Sequence, residues 1–330
     1  MDKISKINLK VIDMNNILGE SSLQFKLSGD NINYIILNTI RRTILAEIPI
    51  YAFNEFKFEK NTTVLHNDYL KQRLKHLPIW NIENTIDSIS PKKLDEIKEV
   101  EFDENDEYNP DTENEPLNTS TLKQMTMYLN FKNKTNEIVS ATTDDAKFYY
   151  EEKQVASPYK VAVPLVRLQP NQEVAFSAIT TIGTETENAM YSAVCIAAYK
   201  EITPTEYEFN IESRGQITEK RIVQVSLLCI EKRLKNFLKL VKEHTKLSGN
   251  EGIIVINNED HTLGNLISRG MQCHKKILFA GYNLTHPRVA KVNFHYKHEK
   301  DANIIKIMED VVNYYLEIFS NIKKLVDKEL

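Results

Sequence analysis

The chain has 330 residues, 42% apolar and 27% charged, with a formal net charge of −4, an ordinary soluble composition with room for two or three domains. No apolar run approaches the roughly 20 residues that cross a bilayer, and the opening MDKISKINLK lacks the apolar core and cleavage site of a secretory leader. Neither a protein that crosses a membrane with helices nor an exported one is expected. Cys195, Cys229 and Cys273 lie far apart with no C-x-x-C pair, so neither a disulfide framework nor a local zinc knuckle is available; they read as reduced core thiols.

Alternation of period two in Ile7, Leu9, Val11 and again in Leu23, Phe25, Leu27, across the turn-like NNILGES, predicts a hairpin. A helix follows, capped by Asp30 or Asn31 and ended by Pro49, with Ile32, Ile36, Leu37, Ile40, Ile44 and Ile48 on one face and Arg41 and Arg42 side by side. FNEFKFE alternates as a strand, and NDYLKQRLKHLP is a short helix with Leu70, Leu74 and Leu77 inward.

Lys92 to Glu115 holds eleven acids against three lysines, a local −8, which leaves +4 for everything else. With little apolar content and flanking prolines, this stretch cannot offset the entropy of ordering, and it reads as a disordered surface loop over about 88–118. Beyond it, TLKQMTMYLNF and VPLVRLQPNQEVAFSAITTIG read as strands of a mostly β insert. EYEFNIESRGQI is a returning strand, and a long helix follows. Its apolar positions Val223, Leu227, Ile230, Leu234, Phe237 and Val241 step by alternating fours and threes, the spacing of a seam that packs on another helix.

The last eighty-odd residues repeat the plan of the first hundred. EGIIVIN is a strand, EDHTLGNLISRGMQCH a helix capped by Asp260 or Thr262, KKILFAGYN a return and KVNFHYKH a strand. The terminal helix carries a second seam, Ile304, Met308, Val311, Tyr315, Ile318, Ile322 and Leu325. Two copies of strand, capped helix, strand and seamed helix in one chain are expected to pack on each other about a pseudo-two-fold axis. The pairing surface is expected to include Ile36, Ile40, Leu227, Leu234 and Val241 from the first copy, and Gly264, Leu266, Met308, Tyr315 and Ile322 from the second. Gly264 is expected to let a crossing helix approach.

FKLSGDNINYIILNTIRRTILAEIPIYAFNEFKFEKNTTVLHNDYLKQRLKHLPIWNI resembles the start of the third subunit of eukaryotic RNA polymerase II and of the bacterial α-subunit N-terminal domain, including the paired arginines and the RL..LP helix. VPLVRLQPNQEVAFSAITTIGTETENAMYSAVCIAAY resembles the same family's insert domain, and EDHTLGNLISRGM…LFAGYNLTHP the eleventh subunit, the small partner of the third. The fusion of both resembles the polymerases of large DNA viruses of the asfarvirus and mimivirus kind.

This resemblance implies an α+β fold: two α-subunit-N-terminal-like dimerisation domains, each a sheet plus long helices, with a mostly β insert in the first. The expected boundaries are 1–83 with 205–246 for the third-subunit-like domain, 84–204 for the insert and 250–330 for the eleventh-subunit-like domain. It implies a non-catalytic platform that pairs its halves and recruits the largest and second-largest polymerase subunits together with small subunits. DNA is then reached only through the complex, which agrees with the negative charge and the lack of a basic stripe. The expected location is the host cytoplasm and the virion for a viral chain, and otherwise the nucleus.

Two adjacent arginines read from sequence alone as the solvated face of a helix. The resemblance instead places Arg41 and Arg42, with Asn38 one turn earlier, at the contact with the second-largest subunit, where guanidinium groups suit bidentate pairing. The cluster His261, Cys273, His274, His286 and His295 raises a Cys/His metal-dependent enzyme as a rival reading. The five sit at a helix start, a helix end, before a proline and on a strand, pointing in different directions. A regulatory dimerisation protein outside any polymerase is the other rival. Relatives in this family hold zinc or an iron–sulfur cluster in the insert, whereas residues 84–203 here contain only Cys195; no cofactor, metal site or catalytic residue is expected.

Overall fold

The structure, a computed structural model, describes residues 4–15, 21–79, 125–150, 153–244, 249–286 and 289–330. The acidic stretch expected to form a loop lies outside the described residues. In chain order come strands β1 (Asn8–Asn15) and β2 (Ser22–Ser28), helix α1 (Tyr34–Ala46), strand β3 (Ile50–Asn61) and helix α2 (Asn67–Lys75). Strands β4 (Met125–Lys132), β5 (Val139–Thr142), β6 (Ala146–Tyr150), β7 (Lys153–Val155), β8 (Pro164–Leu168), β9 (Glu173–Gly183), β10 (Val194–Thr203) and β11 (Glu206–Ser213) follow. Helix α3 (Glu219–His244), β12 (Glu251–Asn257), α4 (His261–Gln272), β13 (Ile277–His286), β14 (Val289–His298) and α5 (Ile304–Glu329) complete the described chain.

This mixed α+β chain forms two compact units, one of Met1–Ile48, Val194–Ser213 and Thr218–Leu330, the other of Pro49–Ala193 and Arg214–Ile217. In the first unit β1 and β2 form the expected hairpin, with a bulge between Val11 and Asp13. The hairpin extends into an antiparallel sheet of order β1-β2-β11-β10. Alternation puts Leu23, Phe25, Leu27, Tyr207, Phe209 and Ile211 on its buried face, where Phe25 and Phe209 stack with centroids 5.5 Å apart. A second antiparallel sheet, β12-β14-β13, buries Ile254, Ile256, Val292 and Phe294.

The long helices α3 and α5 pack on each other. Every seam residue of α3 from Val223 to Val241 is buried. On α5 the seam is buried from Ile304 to Ile322, but its last member is Val326 and not Leu325, which is half-exposed. A straight helix turns once in about 3.6 residues, so a strict seven-residue step drifts by about 20° per heptad, and Leu325 stands three heptads beyond Ile304. Each long helix also reaches the other sheet. Phe237 of α3 meets Phe294 edge-on, with centroids 5.5 Å apart, and α5 packs on β1.

The second unit holds a five-stranded sheet of order β3-β9-β4-β6-β7 and the short pair β5-β8. Its core gathers Phe53, Leu70, Leu74, Met127, Phe148 and Phe176. Gln216 closes it by donating from Nε2 to the buried Tyr51 carbonyl at 3.1 Å.

These divisions differ from the expected boundaries. The insert begins at Pro49 instead of residue 84, because β3 pairs with β9 from Ile50 to Asn61 and α2 packs on β3. It gives up β10, which joins the β1-β2-β11 sheet through β11. The segments 1–83 with 205–246 and 250–330, expected as separate domains, fall largely in one compact unit. A hydrogen-bonded strand belongs to the sheet it pairs with, and pairing between segments more than a hundred residues apart is invisible to local periodicity.

Candidate functional site

The first unit's distinctive chemistry lies where α1, α3 and the start of α4 meet. Asn33, not Asp30 or Asn31, caps α1: its Oδ1 accepts from the backbone amides of Ile35 and Ile36 at 3.0 and 3.2 Å. Asn31 is engaged elsewhere, accepting from Ser5 and donating to the Tyr314 hydroxyl at 3.0 Å. At α4 the cap is Asp260, whose Oδ1 accepts from the Thr262 amide at 2.9 Å, satisfying a first-turn donor while its negative charge meets the positive end of the helix dipole.

Asp260 is also the hub of an ion cluster. Arg42 donates from Nη2 to Asp260 Oδ2 at 3.0 Å and from Nε to Thr262 Oγ1 at 2.7 Å. Arg233, in the middle of α3, donates to Asp260 Oδ1 at 3.0 Å, to Glu259 and to Glu47. The Arg233 side chain is 16% exposed and that of Glu259 7%. Burial works against the Arg233 charge, but the carboxylates of Glu259, Glu47 and Asp260 outweigh it and hold the guanidinium above its usual pKa. Burial pushes the Glu259 carboxyl up, and Arg233 only partly opposes that. Asp260 is also desolvated, yet Arg233, Arg42 and Thr262 bring it down to about 2.

Arg41 and Arg42 therefore have different surroundings. Arg41 lies along its own helix, donating from Nε and Nη2 to Asn38 Oδ1 at 3.1 and 3.0 Å, and all three residues are half-buried. Arg42 ties α1 to α4. Of the expected pairing residues, Ile36, Ile40, Leu227, Leu234 and Val241 are buried, as are Leu266, Met308, Tyr315 and Ile322, on helices that contact one another.

Gly264 is buried too, but the atoms nearest to a Cβ there belong to a strand residue and not to a helix. A Cβ there would stand 2.6 Å from Tyr282 Cδ2 on β13. The close helix approach is at Gly270, where a Cβ would lie 2.5 Å from Val311 Cγ1 on α5. Arg233 and Gly270 were missed by sequence reading. Arg233 sits one residue before the seam position Leu234, and Gly270 one turn after Leu266 on the apolar face, signals consistent with partial burial and close packing.

The Cys/His cluster disperses. His261 Nδ1 lies 3.2 Å from the Tyr282 hydroxyl, and His295 Nε2 lies 3.0 Å from Asn283 Oδ1. His274 Nε2 lies 3.5 Å from Asp310. Among the described residues, no three of His, Cys, Asp and Glu converge as metal ligands. Only Cys229 is a core thiol; Cys195 and Cys273 are exposed, because one points outward from sheet-edge strand β10 and the other follows the last turn of α4. No helix among the described residues is long and apolar enough to cross a membrane.

Paired long helices, each reaching a sheet of the other segment, and an ion cluster that ties α1, α3 and α4 together define an α+β unit built around a helix junction. A model of the RNA polymerase Rpb3/Rpb11 dimerisation domain matches residues 251–325. Over 98% of its length the chain is 27% identical to a DNA-directed RNA polymerase subunit of Acanthamoeba polyphaga mimivirus, of which 94% is covered. It is 25% identical over 58% of its length to the RNA polymerase II subunit rpb3 of Dictyostelium discoideum, 57% of which is covered. It is also 31% identical over 23% of its length to subunit RPAC2 of RNA polymerases I and III from Danio rerio, 74% of which is covered. The chain belongs to the Rpb3/Rpb11-like family of DNA-directed RNA polymerase subunits.

Proposed function

We propose that this chain is the assembly platform of a viral DNA-directed RNA polymerase, joining a third-subunit-like part and an eleventh-subunit-like part in one polypeptide. Residues 1–246, insert included, take the first role and residues 250–330 the second. The paired surface then recruits the second-largest and largest catalytic subunits, with small subunits beside them, and touches DNA only through that complex. The observation that carries this reading is the packing of α5, inside the matched dimerisation segment, on α3 of the preceding segment. Two seams that each bury an apolar stripe leave neither helix needing a second chain.

Arg41 and Asn38 are the proposed contacts for the second-largest subunit. Arg41 has its guanidinium held in a fixed direction by Asn38, which suits bidentate capture of a carboxylate. In this reading the protein works in the host cytoplasm, where a cytoplasmic virus transcribes, and is packaged in the virion. Affinity purification of the tagged chain from infected cells, with mass spectrometry of the captured proteins, tests the proposal. Recovery of both large polymerase subunits in near-equal amounts is expected; their absence would overturn it.

A further inference from the structure

The pseudo-two-fold relation can be followed residue by residue, and it is broken in charge at one place. Each short helix begins with a capping side chain, Asn33 for α1 and Asp260 for α4. Five residues on stand Asn38 and Asn265, and nine residues on Arg42 and Arg269. On the long helices, Arg233 precedes seam residue Leu234 as Tyr314 precedes seam residue Tyr315. The contacts follow the same correspondence. Arg233 reaches Glu259 and Asp260 at the entrance to α4, and Tyr314 accepts from Asn31 at the entrance to α1. Arg42 reaches the α4 cap, while Arg269 is exposed and donates to Gln272 in its own helix. One junction is charged, with Arg233 and Glu259 largely buried in it, and the contact at its pseudo-equivalent is neutral.

We propose that Arg42, Arg233, Glu259 and Asp260 are the specificity determinant that makes the two halves choose each other over a second copy of themselves. The proposal rests on the reading of the chain as two paired halves. If two first halves paired, each Arg233 would keep Glu47 of its own half but would face Asn31 and Asn33 in place of the two carboxylates Glu259 and Asp260, leaving the buried guanidinium under-compensated, and Arg42 would face an amide. If two second halves paired, Asp260 could meet Arg269, but each Glu259 would face a tyrosine with no cation beside it. A buried charge without its partner is strongly unfavourable, whereas the matched cluster only has to break even against an apolar filling. The cluster thus acts chiefly against the wrong pairings, which share the same apolar seams. Desolvation of Arg233 and Glu259 in the matched cluster is what makes the mismatch costly.

The test uses the full chain with a protease site placed between Ser248 and Glu251, cut after folding and followed by native mass spectrometry and dilution. The unmodified cut chain is expected to remain one first fragment with one second fragment. Arg233→Glu should weaken that complex by about a hundredfold or more, and adding Glu259→Arg should recover at least about tenfold, which a packing role alone would not produce. The neutral, apolar pair Arg233→Met with Glu259→Leu covers the case in which Arg233→Glu does not fold. It should still associate, but complexes of two first fragments should appear as about a tenth or more of the total. Strictly mixed pairing by the neutral variant, or no recovery by the charge exchange, overturns the proposal. Fragments of the unmodified protein that separate on cutting would instead overturn the paired-halves reading itself.

Discussion

Gly270 lies directly beneath Tyr315. A Cβ at position 270 would stand 2.7 Å from Tyr315 Cε2 and 2.5 Å from Val311 Cγ1, closer than atoms approach without displacement. Glycine here is a packing requirement of the contact between α4 and α5, within the segment matched by the dimerisation family. Both ring and valine are buried, so neither can swing into solvent. Gly270→Ala should therefore cost about 1–3 kcal/mol in overpacking, against which alanine's helix preference returns at most about 1 kcal/mol. A lowered urea midpoint, partly recovered by adding Val311→Ala, is the expected result. An unchanged or raised midpoint would show that the helices separate freely at this point.

Thr43 gives the opposite sign. Its side chain is fully buried and its Oγ1 has no hydrogen-bond partner among the described residues, while Thr39, one turn earlier, donates to the Ile35 carbonyl at 2.8 Å. An unsatisfied buried hydroxyl costs free energy that a methyl group of the same shape does not. Thr43→Val should raise stability by about 1 kcal/mol, read as a shift in the urea midpoint at unchanged slope. A loss of stability would mean that the hydroxyl is satisfied in solution.

These two positions mark how far the sequence could be read. The seams on α3 and α5 were legible because a helix that buries one stripe must repeat apolar residues at its own period, and Val223 through Val241 do so without a break. The cap at Asp260 was legible as one of two candidates. The α1 cap was not, since GDNINY offers three short polar side chains in four residues, and tertiary contacts claim Asn31 for Ser5 and Tyr314. Arg233 was invisible for a related reason. A lone arginine on a charged helix reads as solvated, and its burial depends on carboxylates that only the fold brings to it, Glu47 at the end of α1 and Glu259 and Asp260 ahead of α4. Nor could local patterning assign β10 to the β1-β2-β11 sheet, because β10 joins it through its neighbour β11, whose other partner, β2, lies far back in the chain.

The paired arginines are expected to separate in function. Arg41 donates to Asn38 on its own helix and ties no second element by a hydrogen bond or ion pair among the described residues, so Arg41→Glu should leave the urea midpoint within about 0.5 kcal/mol of the unmodified chain. It should nevertheless reduce capture of the second-largest subunit sharply, since an interfacial charge pair is worth about 2–5 kcal/mol. Arg42→Glu should behave differently. It sets a carboxylate against Asp260 and should lower stability by about 1 kcal/mol, a modest figure because both side chains are about 40% exposed. Equal stability of the two variants would show that the Arg42–Asp260 contact does not join α1 to α4 in solution.

The last prediction concerns pH. Asp260 is held at about 2 against an ordinary 3.8, with burial raising it and Arg233, Arg42 and Thr262 outweighing burial. Because the folded value is the lower one, the unfolded chain takes up this proton first as the pH falls. The stability that Asp260 contributes is therefore fully present above 3.8 and is lost between 3.8 and about 2. Its side chain is 42% exposed, so screening reduces the contribution to about 1 kcal/mol. Glu259 works in the other direction: burial raises its folded value, and protonating it on the way down favours the folded state and removes one carboxylate from Arg233. Asp260→Asn keeps a capping oxygen for the Thr262 amide and removes the titration. Urea midpoints measured from pH 5 to pH 2.5 should thus fall less steeply for Asp260→Asn than for the unmodified chain, with the two curves converging at the acid end. Parallel curves would show that Asp260 does not carry the acid sensitivity of this junction.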